Sequence, residues 1–227
     1  MGKRGPAPKR VISEKWRPNL AYAIGLIATD GCLSKDGILI DLSSKDREQL
    51  LNFSKCVGVN FKIGNKWNGS GDKCLRIQFK NRIFYDFLLS IGLTSRKSLT
   101  MGKLAIPEKY FFDFLRGCFD GDGCFYSYWD PRWRSSHMFY LEFISASKNH
   151  INWLQKELYT RTGVSGHTTN DGRKRTLQLK YAKKEALVII KKIYYTKKVV
   201  CLSRKRIKIE KALKIEEKQQ KKYAQVM

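Results

Sequence analysis

Acidic residues are scarce in this chain. Its 227 residues hold 20 Asp and Glu against 45 Lys and Arg, a formal net charge of +25. Such a field repels itself in a compact protein and points to a polyanionic partner, most commonly nucleic acid, with an anionic surface as the other candidate. Histidine is scarcer still. His137, His150 and His167 fall by pattern in loops or helix starts and read as surface residues. No base stands beside a nucleophile, which excludes a serine- or cysteine-type enzyme. The six cysteines include no CxxC pair and sit mostly beside apolar residues, so free thiols are expected in place of zinc or disulfides. No apolar run approaches the roughly 20 residues of a membrane span. The N-terminal "MGKRGPAPKRVISEKWRP" lacks the apolar core of a secretion signal. An intracellular protein without a membrane partner is the expectation, in a prokaryotic cytoplasm or nucleoid or in an organelle.

What is present is a repeated order of elements. A hydrophobic share of 42% and an aromatic share of 12% describe a folded chain. Residues 1–18 read as a basic arm, suited to a minor groove or equally to a plain disordered leader. "LAYAIGLIATDG" has helical spacing and stops at Gly31, and "CLSKDGILIDLS" reads as a hairpin turning at Asp36 and Gly37. An amphipathic helix, a second hairpin and the helix "NRIFYDFLLSIG" complete the first unit, residues 19–92. Residues 93–108 form a polar, basic linker, and the order then recurs over residues 109–213, with a lysine-rich tail at 214–227. "LIDLSSKD" resembles "LEFISASKN", and "IQFK" sits opposite "LQLK". The pattern is a tandem duplication of an αββαββα unit in an α+β chain.

The sharpest repeat is a pair of helix ends, "AIGLIATDG" at 23–31 and "LRGCFDGDG" at 115–123. Gly25 matches Gly117 and Asp30 matches Asp122, whereas Asp120 matches Ala28. A helix C-terminus is the negative end of its dipole, so a carboxylate there is unfavourable twice over. Mid-helix glycines allow close helix contact, which suggests that the two copies pack on each other and bring Asp30 and Asp122 together. Two anions beside free helix-end carbonyls call for a cation, and hard oxygen ligands suit Mg²⁺ with waters and phosphate oxygens. The carbonyls of Thr29 and Gly121 are candidate further ligands.

These two stretches resemble the paired motifs of the LAGLIDADG homing endonucleases in their single-chain, two-repeat form, over residues 19–213. The resemblance implies two pseudo-symmetric lobes joined by their motif helices, with four-stranded antiparallel sheets, backed by helices, forming a DNA-binding saddle. It implies a monomer that cuts both strands of a long asymmetric duplex site across the minor groove and leaves short 3′ overhangs. Mg²⁺ or Mn²⁺ would support cutting, and Ca²⁺ would bind without supporting it. The metal carboxylates fall on Asp30 and Asp122. The family also places a basic residue near each cleaved phosphate, and the ends of the fourth strands offer Lys80 and Lys180.

Strand alternation gives the DNA surface independently. Arg76 and Gln78 in one repeat, and Thr176 and Gln178 in the other, alternate with apolar residues. Arg and Gln suit guanine and adenine edges. Ser44, Lys45, Ser147 and Lys148 follow the second strands and are candidates to order water or phosphate. Arg96 and Lys97 in the linker are candidate backbone contacts, and Arg132 and Arg134 in the longer hairpin are candidate DNA contacts. Tyr126, Tyr128 and Trp129 read equally as DNA contacts or core. An RNA maturase, or a DNA-binding protein that does not cut, is the alternative on the same scaffold.

Overall fold

The computed structural model describes residues 9–67, 71–133, 135–172 and 176–226. The first repeat runs α1 (Pro18–Asp30), β1 (Gly31–Leu33), β2 (Leu39–Ser44), α2 (Arg47–Val57), β3 (Gly64–Trp67), β4 (Lys73–Lys80) and α3 (Arg82–Ser90). A short helix α4 (Lys97–Thr100) and a 3₁₀ turn, Glu108–Tyr110, lead to the second. That repeat runs α5 (Phe111–Gly121), β5 (Cys124–Trp129), β6 (His137–Ser145), α6 (Lys148–Thr162), β7 (His167–Asn170), β8 (Leu177–Ala182) and α7 (Lys183–Ile193), and α8 (Ser203–Val226) follows it. Each repeat forms a four-stranded antiparallel sheet, ordered β1-β2-β4-β3 and β5-β6-β8-β7.

Local chemistry sets these boundaries. Pro18 opens α1 at a position that needs no donor. Asn81 caps α3 by accepting from the Phe84 amide at 2.9 Å. Gly58 and Gly163 close α2 and α6 with φ of 75° and 74°, a region that glycine enters without a Cβ penalty. Helix α1 is apolar all round and buried from Leu20 to Ala28, as a helix between two layers must be. In each sheet one face packs on helices. Leu42, Ile77, Phe143 and Leu179 are buried there, and the alternating residues leave the other face open.

The termini are more integrated than the sequence reading held. The expected arm is anchored from Ile12, which is buried, and Trp16 lies between Phe87 and Tyr110 with ring centroids at 5.7 and 6.4 Å. The expected tail continues α8. Within it Glu216 pairs with Lys183 and Gln219 donates to the Ser135 carbonyl.

Candidate active site

Helices α1 and α5 cross at their glycines. A Cβ on Gly25 would lie 2.8 Å from the Cys118 nitrogen and from the Gly117 Cα, and nearer still to the Phe114 carbonyl oxygen. A Cβ on Gly117 would meet the Tyr22 carbonyl and stand 3.0 Å from the Gly25 Cα. Only backbone fits there, so both C-termini are drawn to one spot. At that spot a Cβ on Gly121 would collide with the Thr29 side chain and stand 2.8 Å from Asp30 Oδ2. The carboxylate of one motif thus leans on the backbone of the other.

The electrostatics agree. Burial pushes the Asp30 carboxyl up to about 6, and the charge of Asp122 pushes it the same way. Hydrogen bonding from Gln49 and the charges of Lys205 and Lys97 oppose the rise. Asp122 is exposed as a residue, yet burial of its carboxyl raises its pKa too, against the charges of Lys97 and Lys205.

Two lysines occupy the helix ends. Lys97 Nζ donates to the Ala28 and Thr29 carbonyls at 2.7 and 3.0 Å. Lys205 Nζ donates to the carbonyls of Phe119, Gly121 and Gly123 at 2.6, 2.9 and 2.7 Å. Both are buried, and burial lowers both pKa values, that of Lys205 to about 8. The Thr29 and Gly121 carbonyls, expected to be free for a metal, therefore already accept from ammonium groups. A divalent ion at either would share its oxygen with a cation. Lys97, expected on the DNA backbone, is turned inward because the C-terminal carbonyls of α1 have no other donor. Lys205 escaped the sequence reading altogether. Its signal was a third repeated string, "LTSRKSL" at 93–99 and "CLSRKRI" at 201–207, which follows the last helix of each repeat.

The ladders correct another match. Gly31 is followed by the row Cys32–Asp41–Gln78, and Gly123 by the row Cys124–Glu142–Lys180. Lys180 is therefore the counterpart of Gln78, two residues out of the register that "IQFK" and "LQLK" suggested. Lys80 pairs with Leu39, three residues beyond the row of Gly31, or about 10 Å along the strand. Lys180 is held by Glu142 at 3.0 Å. The structure brings neither to the carboxylates as a matched pair.

The same offset separates the serines. Ser44 hydrogen-bonds Gln49 and lines an open cleft of about 320 Å³ with Asp30, Lys45, Asp46, Gly121 and Arg204. Lys45 pairs with Asp72 at the surface. Ser147 is buried as the N-cap of α6 and donates to the Met101 carbonyl, so it is closed to phosphate, while Lys148 beside it is exposed. Counting from the caps Asp46 and Ser147, Gln49 corresponds to His150. Gln49 Nε2 donates to Asp30 Oδ2. His150 is buried, held neutral with its pKa lowered to about 4, and turns Nδ1 to the Gly102 carbonyl at 3.0 Å. With Thr29 and Asp122 it lines a cavity of about 20 Å³, room for one water. His137 is buried as well, so of the three histidines expected at the surface His167 alone is exposed.

On the open sheet face of the first repeat, Asp41 gathers Lys66 at 3.1 Å, Gln78 at 3.3 Å and Arg76 at 3.7 Å. On the second, Gln178 accepts from Thr169, and the Thr176 amide donates to Asp171. Arg96 is exposed at a left-handed φ of 61°, and Arg132 is exposed and pairs with Asp130. Arg134 lies outside the described residues.

Two α1/α5-type helices crossing at glycines, two carboxylates at their ends and two open saddle faces define one architecture. The chain has the LAGLIDADG homing endonuclease fold. It resembles the single-chain members in motif and in structure. A mutant of the meganuclease I-SmaMI matches with a TM-score of 0.62 at 12% identity, covering 89% of this chain and 93% of that one. The I-LtrWI LAGLIDADG homing endonuclease bound to target DNA matches with a TM-score of 0.59 at 14% identity, covering 90% and 91%. Full-length DUF199/WhiA from Thermatoga maritima matches at 0.57 and 17% identity, and this chain spans 63% of its length. No protein-family model matches the chain, and no curated protein matches it. Among the described residues no helix is long and apolar enough to cross a membrane.

Proposed function

We propose that the protein is a site-specific double-strand DNA endonuclease that hydrolyses phosphodiesters across the minor groove with the help of a divalent metal. The observation that carries this reading is the meeting of Asp30 and Asp122 at the α1/α5 contact. The donor set fits a hard cation that keeps most of its waters. Among the described residues no group of three or more His, Cys, Asp or Glu could hold a metal ion, so the ion would rest on these two carboxylates, whose pKa values are raised, and on water and phosphate oxygens. Bound Mg²⁺ would supply an activated water and stabilise the leaving 3′ oxygen.

The chain's own groups do the rest. Asp30 and Asp122 would hold the ions, and Gln49 fixes the orientation of Asp30. Lys97 and Lys205 anchor the helix ends and place fixed positive charge beside the phosphates, the part first given to Lys80 and Lys180. The open sheet faces and the +25 charge hold duplex DNA. Both motif copies lie in one chain, which suits a monomer on an asymmetric site.

The test is plasmid or library cleavage with Mg²⁺ by the wild type and by Asp30→Asn and Asp122→Asn. Full double-strand cutting by either variant overturns the metal role. The likeness to DUF199/WhiA, a protein not named as an endonuclease, leaves open a second reading, a DNA-binding protein that does not cut. Sequence-selective binding by wild type with no nicking in Mg²⁺ or Mn²⁺ decides for it.

A further inference from the structure

The two open sheet faces occupy equivalent places and differ in chemistry. On the first, Lys66, Arg76, Gln78 and Lys80 lie on the face that carries Asp41, which pairs with Lys66 and Arg76. On the second, strand register puts Tyr126 opposite Tyr140 and Tyr128 opposite Met138, on the face that also carries Glu142 and Lys180. The three tyrosine rings stack on that face, with centroids 5.3, 6.4 and 6.5 Å apart and interplanar angles of 18°, 14° and 4°. They are half-buried or exposed and do not enter the core, whose face is taken by Phe125, Phe139 and Leu141.

Glu142, on the same face, pairs with Lys180 at 3.0 Å. The acid and the lysine neutralise each other. Gln178, which accepts from Thr169, lies on the same face opposite Ile144, and beside it the face offers a groove the ring surface of the tyrosines, with Met138 half-buried at the border.

We infer that the two lobes read their half-sites by different chemistry. The first lobe reads donor and acceptor edges through Arg76 and Gln78, and the second reads thymine methyl groups through Tyr126, Tyr128 and Tyr140. The major groove presents the C5 methyl of thymine as its one apolar feature, which rings of this kind can cover. The inference rests on the DNA-binding part of the proposed function and is independent of cutting. The target is then asymmetric in composition, with thymine enriched in the half under the second lobe.

The experiment is selection of randomised duplex DNA by the full chain in Ca²⁺, followed by replacement of thymine with deoxyuridine in one half at a time. Thymine enrichment is expected in the half whose base preference changes in the Tyr126→Ser, Tyr128→Ser variant. Arg76→Ala is expected to change the other half. Each methyl removed from the thymine-rich half should weaken binding about threefold to fourfold, and removal from the other half should cost little. Tyr126→Phe should keep the preference, because the inferred contact with the methyl is made by the ring and not by the hydroxyl.

Equal tolerance of deoxyuridine in both halves overturns the inference. So does loss of preference in Tyr126→Phe, or a tyrosine variant that alters the same half as Arg76→Ala. If no sequence is enriched, the DNA reading fails with it. Enrichment as expected without any cleavage in Mg²⁺ leaves this inference standing and removes only the nuclease reading.

Discussion

Gln49 lays its side-chain amide on Asp30, with Nε2 donating to Oδ2 at 2.5 Å. Its counterpart His150 turns Nδ1 to the Gly102 carbonyl and shares only a one-water cavity with Asp122, so the two halves of the candidate centre are not chemically alike. Donation to a carboxylate favours its charged form. Gln49→Leu should therefore raise the Asp30 pKa above its present value of about 6 and move the acid limb of Mg²⁺-dependent cutting to higher pH. His150→Leu should leave that limb in place. End-labelled duplex, scored strand by strand against pH, checks both; an unmoved profile in Gln49→Leu would falsify the role given to the amide.

The Asp30 carboxyl also makes stability depend on pH. Its pKa is about 6 in the folded chain, against roughly 3.9 when unfolded. Between those values the folded state binds more protons, so stability falls as pH rises through the window, and the full cost is present above about pH 6. Removing the charge at pH 7.5 should then help folding by roughly 2 kcal/mol. Asp30→Asn without divalent metal is expected to melt a few degrees above wild type at pH 7.5 and level with it near pH 4. Mg²⁺ should raise the wild-type midpoint and leave that of the variant nearly unchanged. Calorimetry showing the variant less stable at pH 7.5 contradicts this.

The element order, the two sheets and the meeting of Gly25 with Gly117 were legible in the sequence because each has a local signature: a period, a turn residue, a repeated string. Register was not. A fourth strand ending in Lys-preceded apolar alternation looks the same after a shift of two residues, since the period is two, so "IQFK" and "LQLK" matched in letters but not in ladder position. The inward turn of Lys97 was hidden for a different reason. A lysine between polar neighbours reads as solvated, and only the helix-end carbonyls of a distant segment make burial worthwhile. His150 and Ser147 sank into the structure because the linker, read as a free connection, folds across the start of α6.

Lys205 gives a prediction about helix ends. Its ammonium serves three carbonyls that converge from Phe119, Gly121 and Gly123, while Lys97 serves two. Leaving a buried acceptor without a donor costs roughly 1–3 kcal/mol each. Lys205→Met should lower stability by at least about 3 kcal/mol, and Lys97→Met by less. Lys205→Arg should not rescue it, because a planar guanidinium cannot aim three donors at one converging set of oxygens. Urea denaturation of the three variants ranks them; equal stability of Lys205→Met and wild type removes the capping role.

The glycine contact makes the strictest demand on the sequence. An alanine Cβ at Gly25 would fall on the Phe114 carbonyl and within 2.8 Å of two further backbone atoms, and none of these can swing aside as a side-chain tip could. Relief requires α1 and α5 to move apart, which loosens the packing of both lobes and withdraws Asp30 from Gly121. Overpacking typically costs about 1–3 kcal/mol, and a clash with backbone on both sides belongs at or above the top of that range. Gly25→Ala and Gly117→Ala should each destabilise the protein by about 3 kcal/mol or more and abolish any metal-dependent rise in melting temperature. Gly64→Ala is the control, because its Cβ would meet nothing within 4 Å, and a change within about 0.5 kcal/mol is expected. If Gly25→Ala melts like Gly64→Ala, the two motif helices are not in backbone contact, and the approach of Asp30 to Asp122 loses its cause.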